Sequence, residues 1–176
     1  MSNRYGFDWR LIAAQIYQES HFKPASISYA GACGLMQLSR STAESLEVDD
    51  IFDPEQNINA GVRHLRDLYD YFDENDGWDR LFIALAAYNV GQGHMLDARN
   101  LARKMNLDPD KWSSMEKTLP LLRYQRYYKN AKYGYCSGEE PIKYVKQIMI
   151  YYDILRRRSL EFTADEKAFK NMDVKG

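Results

Sequence analysis

No run of this sequence approaches the ~20 consecutive apolar residues that a membrane-crossing helix needs, and its opening Met1-Ser2-Asn3-Arg4-Tyr5-Gly6 lacks the apolar stretch of a secretory leader. The expectation is a chain that does not contact a membrane itself. It is either cytoplasmic or a domain of a longer exported precursor. An excess of one charge is also missing. With 24 basic against 25 acidic residues the net charge is −1, which gives no general attraction to nucleic acid or to an anionic surface. Cysteine is scarce. Cys33 and Cys136 are too few for a disulfide framework and lie in no zinc-like His/Cys pattern, so no metal and no cofactor is indicated. One bridge and two free thiols both remain open. The acidic stretch Asp73-Glu74-Asn75-Asp76-Gly77 places its glycine too early for a calcium loop. Sustained period-two alternation and internal repeats are absent as well, which argues against a sheet and against a repeat array.

What is present is an ordinary globular composition. The 176 residues are 45% hydrophobic and 28% charged, enough for one domain with a real core. Tyrosine is abundant, 14 against 7 phenylalanines. That is more hydroxyl than a small core readily satisfies, so some of these rings are expected to line a cleft.

Helical periodicity organises most of the chain. Asp8 caps a helix in which Trp9, Leu11, Ile12, Ala13, Ala14, Ile16 and Tyr17 lead up to Gln18-Glu19-Ser20, apolar on most sides and so expected to be central. Pro24 and the small residues up to Gly34 read as a long loop. Leu35-Met36-Gln37-Leu38 with Ser41-Thr42-Ala43 predict a second, short helix, and Asn57 to Phe72 a third. The fourth, Leu81 to Asn89, is strongly apolar and ends at Gly91. An amphipathic helix follows over 95–105. Residues 106–138 read as an irregular excursion, and Tyr144 to Leu155 as a last apolar helix. The charged tail from Arg156 reads as a solvated helix or frayed end. The fold class is therefore all-α.

Glu19 stands where a nearly apolar helix gives way to a polar loop. A carboxyl group there is partly desolvated, which disfavours its anion and raises its pKa toward the range useful to a general acid. A surface glutamate at a helix end is the plainer alternative. Tyr88 and Asn89, at the end of the second buried helix, and Gln37 and Ser28 add neutral hydrogen-bonding groups suited to a sugar. Each also has an ordinary structural role: Asn89 as a helix cap, Gln37 as a first-turn residue, Ser28 as a turn former.

Glu19-Ser20, then Gly31-Ala32-Cys33-Gly34-Leu35-Met36-Gln37-Leu38 with Thr42-Ala43, then Asn57-Ile58-Asn59-Ala60-Gly61, then Ala84-Leu85-Ala86-Ala87-Tyr88-Asn89-Val90-Gly91 resemble, in order, the motifs of lytic transglycosylases related to goose-type lysozyme. His94 to Arg99, Leu119-Pro120-Leu121-Leu122, Tyr133-Gly134-Tyr135 and Glu140 with Tyr144-Val145 resemble the branch called membrane-bound lytic murein transglycosylase F. The resemblance implies a lysozyme-like helical domain over residues 1–157, followed by a charged tail over 158–176. It implies Glu19 as the catalytic acid and base, with Ser20 supporting it and Ser28, Gln37, Tyr88, Asn89, Glu140 and Tyr144 lining the substrate cleft. Arg40 and Pro141-Ile142 depart from the family pattern. The implied substrate is the glycan strand of peptidoglycan, and the implied location is periplasmic, outer-membrane-associated in a full-length protein.

Glycosidases commonly pair two carboxylates. Asp49, Asp50, Asp53 and Glu55 have capping roles available and Glu140 lies beside a proline, so the chain offers Glu19 alone. One group acting as acid and then as base suffices if the muramoyl C6 hydroxyl attacks C1 and leaves a 1,6-anhydro end. A hydrolytic muramidase and an inactive peptidoglycan-binding module stay as alternatives.

Overall fold

The computed structural model describes residues 5–74 and 77–173, with side chains as far as Ser159. Asn75 and Asp76 of the acidic stretch, and the last three residues of the tail, lie outside the described residues. Eight α-helices account for most of what is described: α1 Trp9–Ser20, α2 Arg40–Ser45, α3 Pro54–Tyr71, α4 Gly77–Val90, α5 Gln92–Lys104, α6 Trp112–Thr118, α7 Gln125–Tyr128 and α8 Glu139–Asp173, with a 3-10 helix at Leu119–Arg123 between α6 and α7. No strand occurs among the described residues; two isolated bridges, Ile27 to Cys33 and Cys33 to Leu38, brace a loop.

The helix α1 starts where the sequence says it should. Asp8 is in extended conformation and its carboxylate accepts from Arg10 N, satisfying an N-terminal donor left without an intrahelical partner. Leu11, Ile12, Ala14 and Ile16 are buried, while Trp9 and Tyr17 are exposed. The helix is therefore central on one face rather than on most sides. That face packs chiefly on α8, which also packs on α4; α4 in turn lies against α3 and α5. Leu65, Phe72, Ile83, Leu85, Met95, Met115, Leu119 and Ile148 fill the single main core at this junction. α4 is almost entirely apolar between Leu81 and Ala87 because neighbours surround it.

Three expectations are corrected. Leu35–Leu38 is not helical: Gly34 lies at φ 81° and Gln37 at φ 51°, and Leu38 pairs with Cys33. The second helix begins only at Arg40, behind the Ser39 cap. The excursion at 106–138 is substantially helical, because Met115, Leu119 and Leu122 supply a buried stripe that its tyrosines and charges obscure. The last helix begins at Glu139 rather than Tyr144 and continues to Asp173, so the charged tail takes the helical of its two expected forms.

Cys33 and Cys136 are buried free thiols. Cys33 Sγ donates to Gly31 O at 3.4 Å, and burial pushes the Cys136 thiol up to about 11. The bridge that the sequence left open is not formed.

Candidate active site

Glu19 is the penultimate residue of α1, and after Ser20 the chain turns away through two consecutive left-handed residues, His21 (φ 51°) and Phe22 (φ 60°). His21 closes the helix by donating its N–H to Tyr17 O at 3.0 Å. Two non-glycine residues in this region carry strain of order 1–3 kcal/mol each. Among the described residues the half-buried Glu19 carboxyl receives one hydrogen bond, from the Tyr144 hydroxyl to Oε1 at 2.5 Å. Burial carries its pKa from the ordinary 4.5 to about 7, and the Tyr144 bond opposes that rise. No other carboxylate contributes to the shift. Near neutral pH the group is thus divided between acid and anion, as an acid that later serves as base requires.

Tyr144 comes from the first turns of α8 and is only 4% exposed. Its hydroxyl accepts from Gln15 Nε2 at 3.1 Å. Gln15, one turn before Glu19 on the same face of α1, is fully buried and its Oε1 has no partner. An unpaired buried acceptor of this kind costs roughly 1–3 kcal/mol. Sequence reasoning passed over Gln15; a lone amide inside an apolar helix was the available signal.

A second set of contacts positions Tyr88. Gly34, at φ 81°, lies so close to α3 that a Cβ there would stand 2.1 Å from Asn57 Nδ2 and 2.7 Å from Ile51 O, which only glycine avoids. The fully buried Asn57 locks the turn, accepting from Met36 N at 2.7 Å and donating to Cys33 O at 3.1 Å and Ile51 O at 2.8 Å. Met36 is thereby fixed, and its carbonyl accepts the Tyr88 hydroxyl at 2.8 Å. Burial, together with the nearby Glu19 charge, pushes the Tyr88 phenol well above its ordinary range, so it remains neutral.

Tyr88, Asn89 and Gln37 line one cavity of about 420 Å³, together with Thr42 and His64. The His64 ring stands 5.1 Å from that of Tyr88, and burial lowers its pKa, which keeps the imidazole neutral at pH 7. Gln37 is held by bonds from Nε2 to Ser26 O at 3.2 Å and Gly34 O at 2.8 Å. A neighbouring hollow of about 290 Å³ shares Asn89 and Val90 and adds His94, Tyr135 and Glu140. The structure therefore brings Gln37, Tyr88, Asn89 and Glu140 onto two adjoining concavities around the end of α4, with Tyr88 linking them electrostatically to Glu19 and Tyr144. Ser28 sits in an exposed turn, where Oγ accepts from Ala32 N at 3.0 Å. Ser20 is buried and its hydroxyl donates to Ile16 O at 3.2 Å. Sequence reasoning did not single out His64 as lining the cavity.

Comparison with known proteins identifies the family. The family model of the transglycosylase SLT domain matches residues 1–111. The chain belongs to this family. It is 51% identical, over 158 residues, to the membrane-bound lytic murein transglycosylase F of Desulfosudis oleivorans, covering 89% of this chain and 35% of that protein. The protein of the same name from Maricaulis maris is 48% identical over 155 residues, covering 88% and 34%. The chain thus spans about a third of the length of these SLT-family relatives. In fold it matches a structure of an inactive mutant of lytic transglycosylase Slt from Pseudomonas aeruginosa at a TM-score of 0.59 and 22% identity, covering 89% of this chain and 23% of that one. The architecture is all-α and lysozyme-like. Among the described residues no helix is long and apolar enough to cross a membrane.

Proposed function

We propose that this SLT-family domain is a peptidoglycan lytic transglycosylase with Glu19 as its single acid and base. The observation that carries the reading is a half-buried carboxyl raised to about 7, with Tyr144 its one donor and no second carboxylate contributing among the described residues. Membership of the family and the names of the relatives support the reaction class.

Protonated Glu19 donates to the oxygen of the glycosidic bond between N-acetylmuramic acid and N-acetylglucosamine, which breaks with its electron pair on that oxygen. Glu19, now an anion, removes the proton from the muramoyl C6 hydroxyl as that oxygen bonds to C1. The carboxyl is returned to its starting state and the product carries a 1,6-anhydro end, with no water consumed. Gln37, Tyr88, Asn89 and neutral His64 suit a sugar because they hydrogen-bond without charge. Ser28, Glu140 and Tyr144 are proposed cleft residues on the family pattern, and Ser20 a support for Glu19 from within the core. The proposed location is the periplasm, associated with the outer membrane as part of a longer protein; relatives named membrane-bound support membrane association.

Mass spectrometry of digested murein tests the reading. Anhydromuramoyl ends are expected; reducing ends alone would overturn it in favour of a muramidase, and binding without turnover in favour of a glycan-binding module.

A further inference from the structure

Gln15 has no evident stabilising reason to be polar. It is fully buried among Leu11, Ile12, Ala14 and Ile16 on the α1 face that packs on α8, and only one of its two polar atoms has a partner. An apolar residue of the same length would fill the site without leaving an unpaired oxygen. What Gln15 does supply is a single hydrogen bond to Tyr144, 129 residues away in sequence.

The direction of that bond matters. The Tyr144 hydroxyl has one proton and points it at Glu19 Oε1. Its oxygen must then accept from Gln15, which fixes the amide with Nε2 toward Tyr144 and leaves Oε1 unpaired. With the tyrosine oxygen already occupied by a donor, a proton on Glu19 has less reason to turn inward to it. Among the described residues none bonds Glu19 Oε2, and that oxygen is not sealed from solvent. It is the oxygen on which the transferable proton is then held.

We propose that Gln15 is a positioning residue that acts through the Tyr144 hydroxyl to keep the transferable proton of Glu19 on its free oxygen. The inference rests on Glu19 being the acid and base of the proposed reaction, and adds a residue that touches neither substrate nor reacting atoms. The titratable groups facing Glu19 are Tyr144 from α8 and Tyr88 from α4, both neutral at working pH, and no charged side chain contributes to its shift. His64, on α3, faces Tyr88 rather than Glu19. The titration of Glu19 is therefore a clean reporter. Losing the Gln15 donor weakens Tyr144 as a donor to the anion and frees its oxygen to accept from the acid, and both effects favour the protonated form.

The test is a carbon-13 NMR titration of the Glu19 carboxyl, assigned by its absence in Glu19→Gln, in the wild type, Gln15→Met, Tyr144→Phe and the double variant. Gln15→Met should raise the Glu19 midpoint by about half a unit to one unit. It should lower kcat on murein by roughly threefold to tenfold with KM unchanged, and shift nothing further in the Tyr144→Phe background. A midpoint equal to the wild type, or a shift that persists without the Tyr144 hydroxyl, overturns the proposal. If Gln15→Met does not fold, Gln15→Leu provides the same comparison. A wild-type protein that cleaves no murein overturns the functional reading alone, because the titration needs no substrate.

Discussion

Asp97 on α5 and Glu19 at the end of α1 are both withdrawn from water, yet they are bonded in opposite ways. Asp97 is 4% exposed, and each of its oxygens accepts a backbone N–H, from Lys132 at 2.9 Å and Tyr133 at 2.7 Å. Both acceptors are used, and the carboxylate becomes a structural pin that draws residues 131–133 down onto α5. Tyr133 then covers Gly93, where a Cβ would lie 2.5 Å from its ring. Glu19 is less buried but receives a single hydroxyl and keeps one oxygen free, and its pKa stands at about 7. Burial alone does not make a carboxylate reactive; the number of donors aimed at it decides whether it anchors the chain or handles a proton.

The largest expected difference between the two sites is in activity. Glu19→Gln should lower murein cleavage by about a thousandfold or more while circular dichroism stays native; residual activity near wild type would end its assignment. Asp97→Ala should do the reverse. It leaves two N–H groups in the protein without acceptors and should cost about 2–3 kcal/mol in denaturant unfolding, with Glu19 titrating as before.

A smaller effect separates the sites by pH. The folded-state pKa of Glu19 is raised, so between about 4.5 and about 7 the native state binds more protons than the unfolded one and stability falls as pH rises. A shift of that size corresponds to about 3 kcal/mol at most; with the carboxyl still partly open to solvent, Glu19→Gln should gain about 1–3 kcal/mol over wild type at pH 8. At pH 4 the gain should vanish. Equal melting differences at both pH values would show that burial does not penalise the anion. The smallest effect concerns Ser28, whose hydroxyl closes an exposed turn. Ser28→Ala should cost under about 1 kcal/mol of stability; a rise in KM for murein without a fall in kcat would assign the hydroxyl to substrate as well.

Much of the frame was legible from the chain alone. The Asp8 cap, the apolar stripe of α1 and the apolar α4 ending before Gly91 are local signals that the tertiary structure keeps. Leu35–Leu38 misled because four residues fit a helical period while the decisive facts, Gly34 at positive φ and Asn57 bonding Met36, involve α3. The stretch after 106 misled because its buried stripe of Met115, Leu119 and Leu122 is thin and interrupted by Pro120.

By itself the sequence determined that the protein is helical, that its motifs match one family in order, and that Glu19 sits at a boundary between apolar and polar chain. Those properties depend on neighbours within a turn or two, which periodicity and caps report. Only the tertiary structure decided how Glu19 is held. Tyr144, which donates to it, lies 125 residues away, and Gln15 becomes intelligible only once α8 is packed on α1. Donor count and solvent access belong to the packed interface, and no local pattern encodes them.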